Sequence, residues 1–209
     1  MDKLLPKPSK VAKVDHHKAL PVGEVGAFMQ RLRQTSGMGA LALEFAILTA
    51  ARSGEVRGAT FLEIDRAAKV WIVPADRMKA GKEHRVPLSA RSLEILAIAK
   101  AMDADSKYLF SINGKPLSNM AMPMALRRAG MDVTVHGFRS SFRDWVSEET
   151  GHPSDVAEMA LAHKIASSVE ASYRRGNLMA RRRRLMDDWE KYCFTPYSDN
   201  VINFERIAA

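Results

Sequence analysis

Hydrophobic residues recur with helical spacing near the start of the chain and then fill a whole segment. Val25, Phe28 and Leu32 fall on one face of a helix that the pattern predicts over residues 21–34. The next segment, Ala40–Ala51, is apolar around nearly its whole circumference. Such a segment predicts a helix that runs through the core, because any exposed face would leave apolar surface in water.

Short β-like runs replace the helical pattern in the following part of the chain. They are Ala59–Ile64, Val70–Pro74 and His84–Leu88, and the residues between them favour turns. Three such runs in succession predict a three-stranded antiparallel meander.

Helical spacing returns after the predicted sheet. Helices are predicted over Ala90–Met102, over Leu117–Ala129 and over most of Val135–Cys193, with breaks at Gly151–Pro153 and near Gly176. The predicted fold class is therefore α+β, mainly α-helical, with one small three-stranded antiparallel sheet in the N-terminal third. One compact domain that begins near residue 20 is the simplest partition of the chain.

Composition and charge narrow the possible functions. The 209 residues include 32 Lys and Arg against 24 Asp and Glu, so the net charge is 32 − 24 = +8. A hydrophobic fraction of 46% excludes an intrinsically disordered chain, and the single Cys193 excludes a disulfide scaffold. No apolar run reaches the ~18 residues that cross a bilayer, and the N-terminal residues lack an apolar signal core. We expect a cytosolic protein with a polyanionic partner, nucleic acid above all.

Two clusters combine arginine with a tyrosine or a histidine. Arg174 and Arg175 directly follow Tyr173, and they could stabilise a phenolate or a phosphate. His136 and Arg139 lie in the first turn of a predicted helix, where cations are unfavourable unless an anion binds there. The ordinary alternatives are a half-buried helical tyrosine, a capping histidine and solvated arginines.

Three further residues are candidates for chemistry, and each has an ordinary alternative. Arg52 follows the most apolar helix and could point into a cleft, oriented by Glu55, or it could simply balance the helix dipole. Lys79 lies in the predicted turn between the second and third strands, where it could donate a proton or be a solvated tip residue. His163 could bind a ligand or be a core or surface histidine.

Other features indicate surfaces rather than sites. The run Arg181–Arg184 is typical of a solvated or DNA-facing helix, and Leu185 and Trp189 suggest a packing stripe on it, against this domain or another subunit. The sequence contains no GxGxxG, Walker A, CxxC or HExxH motif. A metal-dependent phosphodiesterase remains an alternative, and its candidate ligands are His84, His136, His152 and His163.

The ordered set of these clusters resembles the catalytic domain of the tyrosine recombinases, the phage integrase family. Within that family it is most similar to the integrases of prophages and genomic islands. The segments that carry the resemblance are Thr49–Val56, an arginine box; Arg77–Ser89, a lysine hairpin; Val135–Arg139, an HxxR box; and Leu161–Lys164, in which Ala162 replaces the usual glycine. The resemblance covers roughly residues 20 to 193.

The resemblance implies a reaction in which Tyr173 cleaves a DNA strand. The products are a 3′-phosphotyrosyl bond and a free 5′-hydroxyl, and the hydroxyl of another strand reverses the step. It implies that Lys79 protonates the leaving 5′-oxygen and that His136 assists proton transfer at the phenol.

The remaining matched residues are implied to bind the phosphate. Arg52 and Arg139 would clamp its non-bridging oxygens, His163 would hydrogen-bond it, and Glu55 would support the arginines without reacting. The implied chemistry needs neither a metal nor ATP nor any other cofactor.

The resemblance also implies how the chain is organised. Residues 1–20 resemble an interdomain linker or leader, residues 21–193 form the catalytic domain, and residues 194–209 form a tail that matches no box. Because members of this kind carry N-terminal DNA-binding domains, we expect an isolated catalytic domain, whether excised or encoded by a truncated gene.

The implied partner is double-stranded DNA at attachment sites. Self-association on DNA is expected, as a tetramer in the full-length synaptic complex, in the bacterial cytoplasm with the nucleoid and away from membranes. The alternative is a non-enzymatic DNA-binding protein derived from an integrase. A type IB topoisomerase fits the box spacing and the short chain less well.

Overall fold

The computed structural model describes residues 18–163 and 178–195. Within these residues, eight α-helices accompany a three-stranded and a two-stranded antiparallel sheet. The helices are α1 (Val25–Gln34), α2 (Met38–Thr49), α3 (Ser53–Arg57), α4 (Ala90–Met102), α5 (Ala121–Arg128), α6 (Gly137–Glu149), α7 (Ser154–Ala160) and α8 (Met179–Phe194). The strands are β1 (Ile64–Asp65), β2 (Val70–Val73), β3 (His84–Pro87), β4 (Ser111–Ile112) and β5 (Lys115–Pro116). The predicted fold class is confirmed.

Helix α2 is the centre of the core, as its continuous apolar sequence predicts. All its residues except Gly39 and Leu41 are buried, and it contacts α1, α4, α5 and α8. The indole of Trp189 donates a hydrogen bond to the carbonyl of Ile47 at 2.9 Å, which fixes α8 against it. Contacts with several helices therefore fix the position of the C-terminal end of α2.

One buried carboxylate interrupts the apolar surface of α2. Glu44 accepts hydrogen bonds from the guanidinium of Arg91 at 2.8 and 3.0 Å and from that of Arg33 at 3.2 Å. The main-chain N–H of Arg91 donates to Glu190 at 2.9 Å. The network joins α1, α2, α4 and α8, and removing one member would leave a buried charge without its partner.

The three-stranded sheet has the predicted meander order β1–β2–β3, with Trp71 opposite Val86. The strand predicted over Ala59–Ile64 is wrong for most of its length, because Phe61–Glu63 forms a 3₁₀ turn. The Glu63 carboxylate accepts hydrogen bonds from the main chain of Thr60 at 3.2 Å and from the Trp71 indole at 2.8 Å. These side-chain contacts favour a turn over an extended strand.

A second small hairpin precedes α5. The predicted helix Leu117–Ala129 begins only at Ala121, because β4 and β5 pair just before it. Asn113 (φ 52°) and Gly114 (φ 73°) form the turn between these strands. An Asn-Gly pair adopts this left-handed backbone readily, and it is the signal in the sequence for the hairpin.

The helical region predicted from residue 135 onward contains α6, α7 and α8, with the predicted break at Gly151–Pro153. The break predicted near Gly176 lies outside the described residues. Ring centroids of Phe142 and Trp145 lie 5.3 and 5.0 Å from that of Trp189, so an aromatic cluster joins α6 to α8. The stripe on α8 thus packs within this domain.

Residues 18–20 lie against the start of α6. Leu20 is buried, and the carbonyl of Lys18 accepts a hydrogen bond from the main chain of Thr134 at 3.0 Å. A Cβ atom on Gly137 would lie 2.1 Å from that carbonyl, so only glycine permits this approach. The described core extends from Leu20 to Cys193. Among the described residues, no helix has the length and apolar content needed to cross a membrane.

Candidate active site

Arg52 lies where the chain turns from α2 into α3. Helix α2 ends in a Schellman motif, in which the N–H groups of Ala50 and Ala51 donate to the carbonyls of Ile47 and Ala46 at 3.1 Å. Ala50 adopts the left-handed conformation that this motif requires, with φ 49°. The motif places Arg52 at the N-cap position of α3.

Glu55 holds Arg52 through two contacts. One carboxylate oxygen accepts from Nη1 of Arg52 at 2.8 Å, and the other accepts from the main-chain N–H of Arg52 at 2.9 Å. Glu55 is buried, whereas the side chain of Arg52 keeps 24% of its surface exposed. The guanidinium is therefore fixed on one side and open on the other.

Arg139 lies in the first turn of α6 and is buried. Its guanidinium donates to the carbonyl of Ala50 and, at 2.7 Å, to the carbonyl of Leu161. These carbonyls lie at the C-terminal ends of α2 and α7, which carry partial negative charge. Two helix ends thus anchor this cation.

The two guanidinium groups are close enough to influence each other. Burial and, after it, the positive charge of Arg52 lower the pKa of Arg139 to about 10, although Glu55 and Glu158 act in the opposite direction. Arg139 therefore remains a cation at neutral pH. An anion between the two groups would offset their repulsion.

His163 completes this cluster. Helix α7 also ends in a Schellman motif, with Ala162 at φ 49° and the N–H of His163 donating to the carbonyl of Glu158 at 3.0 Å. Nδ1 of His163 lies 2.7 Å from Glu158 Oε2, and Nε2 lies 3.3 Å from Nη2 of Arg139. A neutral ring that donates from Nδ1 and accepts at Nε2 satisfies both contacts.

Glu158 is a residue of the site that the sequence reasoning missed. Partial burial raises the pKa of its carboxyl, but hydrogen bonds from His163 and Arg143 outweigh burial and leave the pKa below its usual value. Arg143 Nε lies 2.7 Å from Glu158 Oε1. Glu158 lies five residues before His163, near the end of a helix, and this spacing is the signal that could have indicated its role.

Lys79 and His136 lie on exposed segments next to these elements. Lys79 is in the turn before β3, two residues after Arg77, whose guanidinium donates to the carbonyl of Glu55 and to the Glu63 carboxylate. The side chain of His136 is exposed, and its carbonyl accepts from the main chain of Arg139 at 3.0 Å.

The structure thus brings together four of the predicted site residues, Arg52, Glu55, Arg139 and His163. Tyr173 lies outside the described residues.

The run Arg181–Arg184 differs from its prediction at one position. Arg182 is buried and donates to the carbonyl of Arg85 at 2.5 Å, so it is neither solvated nor facing DNA. Arg183 also donates to a main-chain carbonyl, that of Ala68 at 2.8 Å, but this contact lies at the surface. The sequence alone could not show which of these arginines is buried, because the packing of α8 against β3 covers only one of them.

Two further histidines contact protein groups. His84 Nε2 lies 3.2 Å from the carbonyl of Ala160, and His152 pairs with Asp188 at 3.0 Å. Within residues 18–163 and 178–195, no three His, Cys, Asp or Glu side chains gather in a way that could hold a metal ion.

Comparison with known proteins decides the family. The model of the phage integrase family matches residues 18–178. The chain belongs to the phage integrase family. The matched segment spans all four resembling boxes, so the family resemblance stated from the sequence is confirmed.

Two relatives of this integrase-family chain show how much of a longer protein it covers. It is 36% identical to the prophage integrase IntA of Escherichia coli K12 over 68% of this chain and 36% of IntA. It is 32% identical to the integrase of Enterobacteria phage P4 over 85% of this chain and 45% of that protein. The chain thus spans less than half the length of either relative.

Solved structures of integrases share the fold of this family member. The integrase from mycobacterium phage Brujita aligns with a TM-score of 0.63 at 17% identity, over 92% of this chain and 62% of that one. The lambda integrase catalytic core aligns with a TM-score of 0.53 at 20% identity, over 72% of this chain and 94% of that one. A lambda integrase tetramer bound to a Holliday junction aligns with a TM-score of 0.54 at 19% identity, over 79% of this chain and 50% of that one.

Proposed function

We propose that this chain is the catalytic domain of a site-specific DNA recombinase, which cleaves and rejoins DNA strands to integrate or excise a mobile element. The observation that supports it most directly is that Arg139 donates to the carbonyl of Ala50, two residues before Arg52, and contacts His163. The guanidinium groups of Arg52 and Arg139 thus belong to one cluster. They come from distant parts of the chain and would repel each other without an anion between them.

The free donors of this cluster suit a phosphodiester. Glu55 occupies one nitrogen of Arg52, and two carbonyls occupy part of the Arg139 guanidinium. Nε of Arg139 is buried and has no hydrogen-bond partner among the described residues. Guanidinium donors match the spacing of phosphate oxygens, so both side chains can grip the non-bridging oxygens.

Negative charge on those oxygens grows as the pentavalent transition state forms. Donors that are already fixed stabilise this charge without reorganising, and burial strengthens their effect. Arg139 is held by two helix ends and Arg52 by Glu55, so neither needs to move during the reaction. His163, whose Nε2 contacts Arg139, is proposed to hydrogen-bond the phosphate beside that guanidinium.

Tyr173 is the proposed nucleophile. Its phenolic oxygen attacks phosphorus, the bond from phosphorus to the 5′-oxygen breaks, and the protein keeps the 3′-phosphate as an ester. The phenol proton leaves with the assistance of His136, and Lys79 supplies a proton to the 5′-oxygen. The ester conserves the energy of the broken bond, so rejoining needs no ATP, and the guanidinium pair takes the role that a metal has elsewhere.

The proposed substrate is double-stranded DNA at attachment sites. The net charge of +8 favours a polyanion, and the proposed assembly in the full-length protein is a tetramer on DNA. Such a substrate places the protein with the nucleoid in the bacterial cytoplasm. We propose residues 21–193 as the catalytic domain, residues 1–20 as a linker and residues 194–209 as a tail.

The substitution Tyr173→Phe tests the proposed nucleophile. With nicked duplexes tiled across the DNA that flanks the gene, wild-type protein is expected to form a covalent protein–DNA adduct that denaturing gels resolve. Tyr173→Phe removes the attacking oxygen, so the adduct should vanish while DNA affinity stays nearly unchanged. Tyr108→Phe is the matched control and should behave as wild type.

Three outcomes would contradict the proposal. An undiminished adduct in Tyr173→Phe would remove Tyr173 from the mechanism. Wild-type protein that binds DNA and never forms an adduct would favour the non-enzymatic alternative. Loss of the adduct in EDTA would favour metal-dependent chemistry.

A further inference from the structure

His84 makes a partly buried polar contact that the proposed reaction does not use. It is the first residue of β3 and pairs with Val73, the last residue of β2. The chain between these two strands carries Lys79. His84 therefore stands at the point where the lysine-bearing connection rejoins the sheet.

The imidazole of His84 reaches across to α7. Its Nε2 lies 3.2 Å from the carbonyl of Ala160, the last residue of that helix. The next carbonyl, that of Leu161, accepts from Arg139, and the turn that follows carries His163. One hydrogen bond thus joins the lysine-bearing connection to the helix end that holds Arg139 and His163.

The other end of the connection is attached to the opposite side of the site. Arg77 donates to the carbonyl of Glu55, the residue that orients Arg52. Gly58 leaves room for this contact, because a Cβ atom there would lie 3.2 Å from Nη2 of Arg77. The connection is therefore fixed to α3 by Arg77 and to α7 by His84.

We propose that His84 is a positioning residue, which fixes the lysine-bearing connection to the end of α7 and so aligns Lys79 with Arg139 and His163. This inference rests on the proposed function. His84 does not touch the substrate in this account, and it acts through the segments that it joins.

The surroundings of His84 keep its ring neutral. Burial, together with the positive charges of Arg182 and Arg139, lowers its pKa to about 4, although Glu55 and the hydrogen bond to Ala160 act in the opposite direction. A neutral ring donates from Nε2 to the carbonyl and leaves Nδ1 unprotonated. At neutral pH it is thus a fixed donor, which suits positioning rather than proton transfer.

Arg182 supports this arrangement from α8. It donates to the carbonyl of Arg85, the residue after His84, and holds the strand from beneath. The positive charge of Arg182 also opposes protonation of the ring. Three elements, β3, α7 and α8, thus meet at His84.

The test compares His84→Ala, which removes the donor, with His84→Gln, whose amide can donate from nearly the same place. His152→Ala is the matched control, because His152 pairs with Asp188 beside the other end of α7. The rate of adduct formation is measured in single turnover, at a temperature where every variant is folded. DNA affinity is measured alongside, and ¹⁵N spectra of labelled histidine report the ring of His163.

We expect His84→Ala to slow adduct formation about tenfold or more, because misplaced groups lose near-attack geometry. DNA affinity should stay within about twofold of wild type, because the phosphate-binding arginines remain in place. His84→Gln should recover to within about threefold of the wild-type rate. The ring signals of His163 should shift in His84→Ala and be retained in His84→Gln and His152→Ala.

A wild-type rate in His84→Ala, or an equal loss in His84→Gln or His152→Ala, would overturn the positioning role. The spectra separate this inference from the proposed function. If wild-type protein forms no adduct, the recombinase proposal fails, and unchanged His163 signals in His84→Ala would still independently overturn the positioning role.

Discussion

Single side chains of the site owe their positions to main-chain carbonyls and buried carboxylates. Arg139 is buried, and carbonyls at the ends of α2 and α7 accept hydrogen bonds from its charged guanidinium. Glu55 accepts a hydrogen bond from the guanidinium of Arg52, and Glu158 contacts Nδ1 of His163. Each donor that could meet a phosphate is therefore fixed by a second contact behind it.

The pH dependence of stability tests the neutral state of His84. Its folded pKa of about 4 lies below the ordinary 6.5, so its contribution to stability is complete above pH 6.5 and is lost as pH falls toward 4. This shift corresponds to about 3 kcal/mol of unfolding free energy at pH 4. The groups that face the ring are Arg182, Glu55 and Arg139.

Urea denaturation at pH 7 and at pH 4 measures this effect. Wild type should lose about 3 kcal/mol more than His84→Gln between the two pH values, because glutamine does not titrate. Equal losses in the two proteins would show that His84 is already protonated or solvated in the folded state.

Variants of Lys79 and Lys82 test whether Lys79 is a specific proton donor or only one basic residue of a basic turn. Lys79→Ala should slow adduct formation about 10²-fold or more, because the 5′-oxygen then leaves without a proton. A substrate with sulfur in place of that oxygen should restore the rate, since a thiolate leaves without protonation. Lys82→Ala should match wild type, and equal defects in both variants would exclude a specific role for Lys79.

At the level of secondary-structure elements, the site lies at two helix ends that have the same backbone conformation. Both α2 and α7 end in Schellman motifs with alanine in the left-handed position, at Ala50 and Ala162. Each helix ends at its motif, and the site residue comes next: Arg52 lies two residues after Ala50, and His163 lies directly after Ala162. Arg139 from α6 joins the two ends, and the connection between β2 and β3 spans them.

Ala162 has a backbone conformation that favours glycine. Ala162→Gly should therefore raise the unfolding free energy by about 1 kcal/mol, because the Cβ atom opposes a φ of 49°. Ala157→Gly, in the middle of α7, is the control and should lower it by about 1 kcal/mol. Thermal or urea unfolding checks both, and a loss of stability in Ala162→Gly would contradict the proposed strain.

The whole molecule combines a strongly basic surface with a deeply apolar centre. The net charge of the whole sequence is +8, whereas α2 at the centre of the core is almost wholly buried and apolar. The chain spans less than half the length of these two relatives, and the partner that we propose for it is DNA. Binding by charge alone depends on released counterions.

DNA affinity should therefore be weak and steeply dependent on salt. If about six phosphates are neutralised, affinity falls about 10³-fold between 50 and 200 mM salt. Fluorescence anisotropy with a labelled duplex at several salt concentrations measures the slope. Tight and sequence-selective binding at physiological salt would contradict this expectation.

The sequence predicted well what depends on local periodicity. The core helix around Phe45, the three-stranded meander and the break at Gly151–Pro153 are confirmed. It failed where side chains override periodicity, as at Glu63, which converts a predicted strand into a turn. The Asn113–Gly114 pair carried a local signal for a hairpin that the sequence analysis did not use.

The sequence by itself determined the family, the residue types of the site and their order, because these are properties of short segments. Only the tertiary structure decided which of them meet: Arg139 contacts a carbonyl 89 residues away, and His84 contacts one 76 residues away. It also decided that Arg182 is buried and that Glu158 orients His163. Such contacts depend on how helices pack around a common core, and a linear pattern does not specify the distance between its segments.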